Sequence, residues 1–347
     1  MLLASVGDAK LMPINREGPV LVVTAKNGYT RGNQSWVIDR ILRDYEAWMD
    51  PAVRKKLNRM LGQRHEYLKK NAPGRNQIPR PGQTGLCVSI YEPDPKRTAG
   101  TATPALTYWS GFAVAMLQMC IAGIPVIIWQ DWSILFITGC GTFLAMATGS
   151  LPQWRVEKWP CRRGTHTTHI LTRGNGAQHA IVILGNGSGL NLEDLAMGGQ
   201  AQTTRSGLFT RICLGLLAVS WTALLITAAG VKAHSWFLLA VGGLGVAQNV
   251  LVAGWRCNPS SLGVHLKYRE VFGEMATMDT LIALETAYPL FGKSLLPVFF
   301  PGDLLPEEVA KWEELRLRAE SRGQNPTPPK PEGWIAHART YDPSRSH

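Results

Sequence analysis

Two apolar segments, Ala105–Trp129 and Trp132–Leu151, are separated only by Gln130-Asp131, and neither holds a charged residue. Each has the length of about 20 residues that an α-helix needs to cross some 30 Å of hydrocarbon. So short a connection makes them antiparallel neighbours, a transmembrane hairpin. A second pair, Leu208–Val231 and Trp236–Trp255, is joined by Lys232-Ala-His-Ser235. Trp109, Trp129, Trp132, Trp154, Trp236 and Trp255 mark the segment ends, as an interfacial aromatic belt does. The chain is expected to be a mainly α, polytopic membrane protein with two transmembrane helical hairpins, four spans in all.

Whole-chain averages conceal this. Hydrophobic residues make up 45% and the mean hydropathy is −0.03, because the apolar residues sit in four blocks and the remainder is polar. The net charge of +11 suits either nucleic acid or an anionic membrane face. With spans present the second reading is preferred, and no nucleic-acid recognition motif is found. The six cysteines lack CxxC spacing and form no disulfide framework. Met1 to Asn15 has no apolar core behind a charged start, so a cleaved signal peptide is not expected.

The polar regions read as follows. Residues 1–104 form an N-terminal region: a short strand in Gly18–Thr24, a helix over Gln34–Met49, a basic helix over Pro51–Lys70, a Pro/Gly linker over Ala72–Gly85 and a strand in Leu86–Tyr91. The basic helix, with Arg54, Lys55, Lys56, Arg59, Arg64, Lys69 and Lys70, either meets anionic lipid headgroups or is a solvated helix packed on its neighbour. Residues 105–152 are the first hairpin. Residues 153–207 are a loop holding a small β-hairpin, Thr168–Arg173 and Ala177–Leu184, turned by Gly174-Asn175-Gly176. A short helix over Leu190–Met197 follows, with Asn191 as N-cap, then a flexible return from Gly198 to Gly207. Residues 208–255 are the second hairpin. Residues 256–322 are helical, with an amphipathic helix over Val271–Tyr288, an apolar stretch Leu295–Gly302 too short to span, and a charged helix in Asp303–Arg322. Residues 323–347 read as a disordered tail.

Basic residues flank one set of span ends. Lys96 and Arg97 precede the first span, Arg155, Lys158, Arg162, Arg163, Arg173 and Arg205 lie between the second and third, and Arg256, Lys267 and Arg269 follow the fourth. The opposite turns contain only Lys232. The positive-inside rule then puts both termini and the middle loop in the cytosol. The sequons at Asn33 and Asn186 would be unused, and that at Asn258 is blocked by Pro259.

Chemistry-bearing patterns are sparse. Gly185-Asn-Gly-Ser-Gly189 stands between a strand and a helix, but the dinucleotide pattern needs a glycine where Leu190 stands, so it reads as a structural turn. His166, His169, His179 and Cys161 match no zinc spacing and read as polar strand residues. No metal or cofactor is implied, and no hydrolase elbow or kinase signature occurs. Within the spans, Gln118, Gln248 and Asn249 are expected to hydrogen-bond between helices or, alternatively, to line a path. Cys161 and Cys257 are juxtamembrane candidates for palmitoylation.

Trp154–Gly164 (WRVEKWPCRRG), the hairpin after it, and Ser294–Gly302 (SLLPVFFPG) before a charged helix together resemble multi-pass membrane proteins of filamentous fungi that have no assigned activity. The resemblance covers the last two-thirds of the chain and implies no catalytic residues. The expected role is a non-enzymatic membrane scaffold or interaction protein in contact with lipid, including anionic headgroups, and with itself as a homo-oligomer. The rivals are a small oligomeric transporter or channel, and a membrane-tethered enzyme using the 153–207 loop.

Overall fold

The computed structural model describes residues 20–71, 79–198 and 206–321. The N-terminal segment, the first half of the 72–85 linker, most of the 198–207 return and the tail lie outside the described residues. The fold is mainly α with a sheet at one end of an apolar helical bundle.

The polar regions contribute β1 (Leu21–Thr24), β2 (Thr30–Gly32), α1 (Trp36–Arg43), α2 (Tyr45–Trp48), α3 (Pro51–Asn71) and β3 (Cys87–Pro93) before the bundle. Between the apolar pairs lie α6 (Pro152–Lys158), β4 (Arg163–Thr165), β5 (His169–Thr172), β6 (His179–Ile183), β7 (Gly189–Leu190) and α7 (Leu192–Ala196). After the bundle come a 3₁₀ turn (Pro259–Leu262), β8 (Leu266–Gly273), α10 (Thr277–Ala287), α11 (Phe291–Phe299) and α12 (Pro306–Ser321). The bundle itself is α4 (Leu106–Trp129), α5 (Ser133–Gly149), α8 (Ser206–Gly230) and α9 (Ser235–Gly254).

The hairpin β5–β6 is not an isolated ornament of the middle loop. It forms the centre of a six-stranded sheet of order β2-β1-β5-β6-β3-β8, with β3 parallel to β6 and the other neighbours antiparallel. Period-2 alternation supplies both faces. Leu171, Ile181 and Ile183 meet Val37, Ile38, Ile41 and Leu195 on one side. Ile170, Val182, Val88 and Ile90 meet Leu281, Leu284, Leu295 and Phe299 on the other. Burial on both faces explains why β3 and β6 read as continuous apolar runs.

One sequence expectation changes here. The amphipathic helix over Val271–Tyr288 divides into the end of β8 and α10, because Tyr268, Val271 and Phe272 alternate across the sheet edge and pair with β3. Leu295–Gly302, read as too short to span, overlaps α11, whose Leu295, Leu296 and Phe299 cover the second face of the sheet. Gly292 lets α11 approach α10 closely, since a Cβ there would stand 2.2 Å from the Leu281 carbonyl oxygen. The predicted N-cap Asn191 does accept from the Glu193 and Asp194 amides.

Three helices are long and apolar enough to cross a membrane, Leu106–Trp129, Arg211–Gly230 and Ser235–Gly254, while the apolar α5 is shorter at 17 residues. α9 packs against α4 and α5, and α8 packs chiefly against α5 rather than against its chain neighbour α9. At the end remote from the sheet, the Trp129 ring stacks on His234 with centroids 4.1 Å apart, joining the two short turns. α3 runs the opposite way. The Asp50 amide donates to the Tyr91 hydroxyl, and ten residues later Met60 lies against Gly273, at the strand ends far from the bundle. Its last eleven residues add about 16 Å beyond that level at 1.5 Å per residue.

Candidate functional site: the junction of sheet and bundle

The site where the two halves meet is built from α1 upward. Its sequence WVIDRILR turns Val37, Ile38, Ile41 and Leu42 into the core, and the same packing draws in the charged side chains of Arg40 and Asp44. These stand at i,i+4, and the Arg40 Nε lies 3.0 Å from Asp44 Oδ2 with both side chains buried. A buried ion pair persists only where its remaining donors and acceptors are met. Here they are met by the end of α9. Arg40 Nη1 donates to the Ala253 carbonyl at 3.1 Å, and Nη2 donates to that of Trp255 and approaches Cys257 Sγ at 3.5 Å. Asp44 Oδ2 accepts from the Cys257 amide at 2.8 Å, and Arg43 pairs with Asp44 Oδ1 at 3.1 Å.

The last carbonyls of a helix have no intrahelical donor and carry partial negative charge. One guanidinium therefore caps α9 and ties it to α1, with the Trp36 ring beneath it at 5.9 Å. The connecting segments are fixed as well. The Gly100 amide donates to Gly263 O and the Thr103 amide to Ser260 O, while Trp159 Nε1 donates to Leu262 O. Gly263 has φ +82°, and a Cβ there would meet the Trp159 ring at 2.9 Å. The chain therefore leaves the sheet through braced connections. Sequence reasoning missed Arg40 and Asp44. The available signal was an i,i+4 charge pair on the apolar stripe of a short helix.

The residues singled out from sequence fall in separate places. Gln118 of α4 donates to the Val241 carbonyl of α9 at 2.8 Å, and Gln248 of α9 donates to Ser110 Oγ of α4 at 2.9 Å, so both close the α4–α9 seam. Asn249 points outward from the bundle instead and makes no side-chain hydrogen bond among the described residues. Cys161 packs at the edge of the first core cluster, where burial and the nearby Asp194 carboxylate push its thiol up to about 12. It is a neutral, chemically quiet thiol. Cys257 lies in the junction itself.

His169 and His179 share a face of the hairpin but stand at opposite ends of it: His169 pairs with Ile183, His179 with Cys87. Both rings are packed without hydrogen-bond partners at either nitrogen among the described residues. Burial holds His169 down to about 4, and His179 below its ordinary value, so both rings are neutral. Among the described residues no group of three or more His, Cys, Asp or Glu is placed to hold a metal ion. The Gly185–Gly189 turn is filled by protein. A Cβ at Gly185 would strike the His166 backbone at 2.2 Å, Gly187 faces the His166 ring, Gly189 faces Pro93, and Asn186 Nδ2 donates to Pro93 O at 2.7 Å. Its glycines serve close packing, not a phosphate.

Comparison of the chain with protein-family models, with curated proteins and with solved structures gives no match.

Proposed function

We propose that this is a four-span integral membrane protein with both termini and the middle loop cytosolic, acting without enzymatic chemistry as a scaffold that presents a firmly mounted α/β domain to partners. The observation that carries the reading is the strand order. β1 and β3 precede the first apolar pair, β5 and β6 lie between the pairs, and β8 follows the second, yet all five join one sheet. Each apolar pair must then return the chain to the side it left, so α4 and α8 crossing a bilayer requires α5 and α9 to cross back. The 17 residues of α5 cover about 26 Å, at the short end of spanning helices.

Exposed Lys96, Arg97, Arg162, Arg163 and Arg256 ring the bundle end of the domain, which suits a cytosolic leaflet with anionic headgroups. α3, directed away from that end, is left for the aqueous side. A path-lining role for Gln118 and Gln248 is disfavoured because both amides are engaged across the seam. The Arg40–Asp44 cap supports a scaffold role, since it makes the domain's pose follow the spans.

Glycosylation acceptors placed at Asp131, at His234, in the middle loop and at each terminus test the topology. The expected outcome is modification of the two short turns alone. Modification of the middle loop would invert the orientation, and turnover of any substrate by the purified protein would end the non-enzymatic reading.

A further inference from the structure

Three carboxamides lie within the apolar helices: Gln118, Gln248 and Asn249. Two are bonded across the α4–α9 seam, and the third faces outward with no partner among the described residues. The outward hydroxyls differ from it. Ser220 and Thr227 each donate to the carbonyl four residues back in their own helix, which spares them from needing an external partner. Asn249 stands six residues before Trp255 and thirteen after Trp236, about 9 Å and 20 Å along the axis. Between interfacial tryptophans that depth is hydrocarbon. An amide there meets no water, and its neighbours one turn away on the outward face, Val246 and Ala253, offer no side-chain donor or acceptor.

We propose that the protein forms a homodimer in the bilayer across the outward face of α9, with the Asn249 carboxamides of two copies hydrogen-bonded to each other; this rests on the four-span reading above. The occupant is a second copy because of depth and complementarity. Copies inserted in the same orientation carry Asn249 at the same level. A two-fold axis along the membrane normal therefore brings like to like. A carboxamide is its own complement, with Nδ2–H donating and Oδ1 accepting, so the pair closes two reciprocal bonds. Exposed Gly242 and Ala253, on the same side of the helix, add no side-chain bulk to hold the backbones apart. The arrangement leaves the α4–α9 seam in place, since Gln248 and the Val241 carbonyl that close it lie about a quarter-turn around α9 from Asn249, and the Arg40 cap holds only backbone carbonyls at the end of the helix.

The test uses full-length protein labelled separately with donor and acceptor dyes, reconstituted in phosphatidylcholine vesicles and diluted in lipid to read a dissociation constant by energy transfer. Asn249→Leu is expected to weaken self-association by about three- to thirtyfold, and Asn249→Gln, which keeps the amide, to restore most of it. Unchanged association of Asn249→Leu, or monomeric wild-type protein at every dilution, would overturn the proposal. So would loss of association in Asn249→Gln equal to that in Asn249→Leu. Glycosylation mapping at Asp131 and His234 on the same variants separates the two failures. Modified turns without self-association refute the dimer alone, whereas unmodified turns refute the membrane reading beneath it.

Discussion

The sheet domain and the helical bundle are held by opposite means. In the domain, strands from three distant stretches of chain sit between two helical layers, and Val23, Ile38, Ile181 and Leu295 are wholly buried. Among the described residues the bundle's core cluster is Ala122, Ile134 and Val241, with Ile137, Leu214 and Ala218 buried beside other helices, while Phe136, Leu216, Trp236 and Leu239 are exposed. A water-facing domain must hide its apolar surface in itself, whereas hydrocarbon leaves no comparable drive between helices, so amides, small residues and close contact set their arrangement. The junction belongs to neither regime, being polar and buried together.

That contrast can be broken most severely at the junction. Asp44→Ala leaves the Arg40 guanidinium buried beside helix-end carbonyls without its counter-charge. We expect a loss of about 3–5 kcal/mol, with the 256–263 connection becoming open to limited proteolysis while the bundle remains intact. Leu295→Ala strikes the domain alone and is expected to cost about 3 kcal/mol in thermal unfolding. The same truncation at exposed Leu239 of the bundle should leave that unfolding nearly unchanged.

Acid offers an intermediate probe. His169 titrates at about 4 in the folded protein against an ordinary 6.5, because burial disfavours its charged ring. The folded state therefore binds fewer protons than the unfolded chain between those values. Its contribution is complete above pH 6.5 and is lost as pH falls toward 4, at up to about 1.4 kcal/mol per unit. His179 shifts in the same direction. His169→Leu should flatten this limb of the stability curve, measured by denaturant unfolding from pH 7 to 4. The smallest expected effect is in the seam: Gln118→Leu should weaken α4–α9 association by about 1 kcal/mol, read as faster cysteine cross-linking between helices that the seam normally holds in one register.

The bundle was legible in the sequence because hydrophobic length is a local property, and the helix bounds agree closely with the apolar runs. Asn191 was legible for the same reason, since an N-cap and its amides lie within three residues. The sheet was legible only strand by strand. Leu86–Tyr91 and Ala177–Leu184 announce strands, but nothing local says that they are parallel partners across a membrane hairpin. β8 was misread because Val271–Tyr288 lies across a strand end and a helix, and its apolar residues fit a helical period when the strand's pairing with β3 is unknown. Arg40 was invisible as a site because its meaning comes from carbonyls at residues 253 and 255.

The order of the sheet also fixes an order of events during synthesis. β3 is made before the first hairpin, its parallel partner β6 only after that hairpin, and its other neighbour β8 only after the second. One long side of β3 thus stays unpaired until the first helical hairpin has been made, and the other until the second. A nascent chain in which either hairpin fails to insert displays a bare apolar strand to chaperones and proteases. On the four-span reading proposed above, correct insertion is thereby reported by closure of the sheet, and the sheet domain doubles as an inspection seal on the helical half of the molecule.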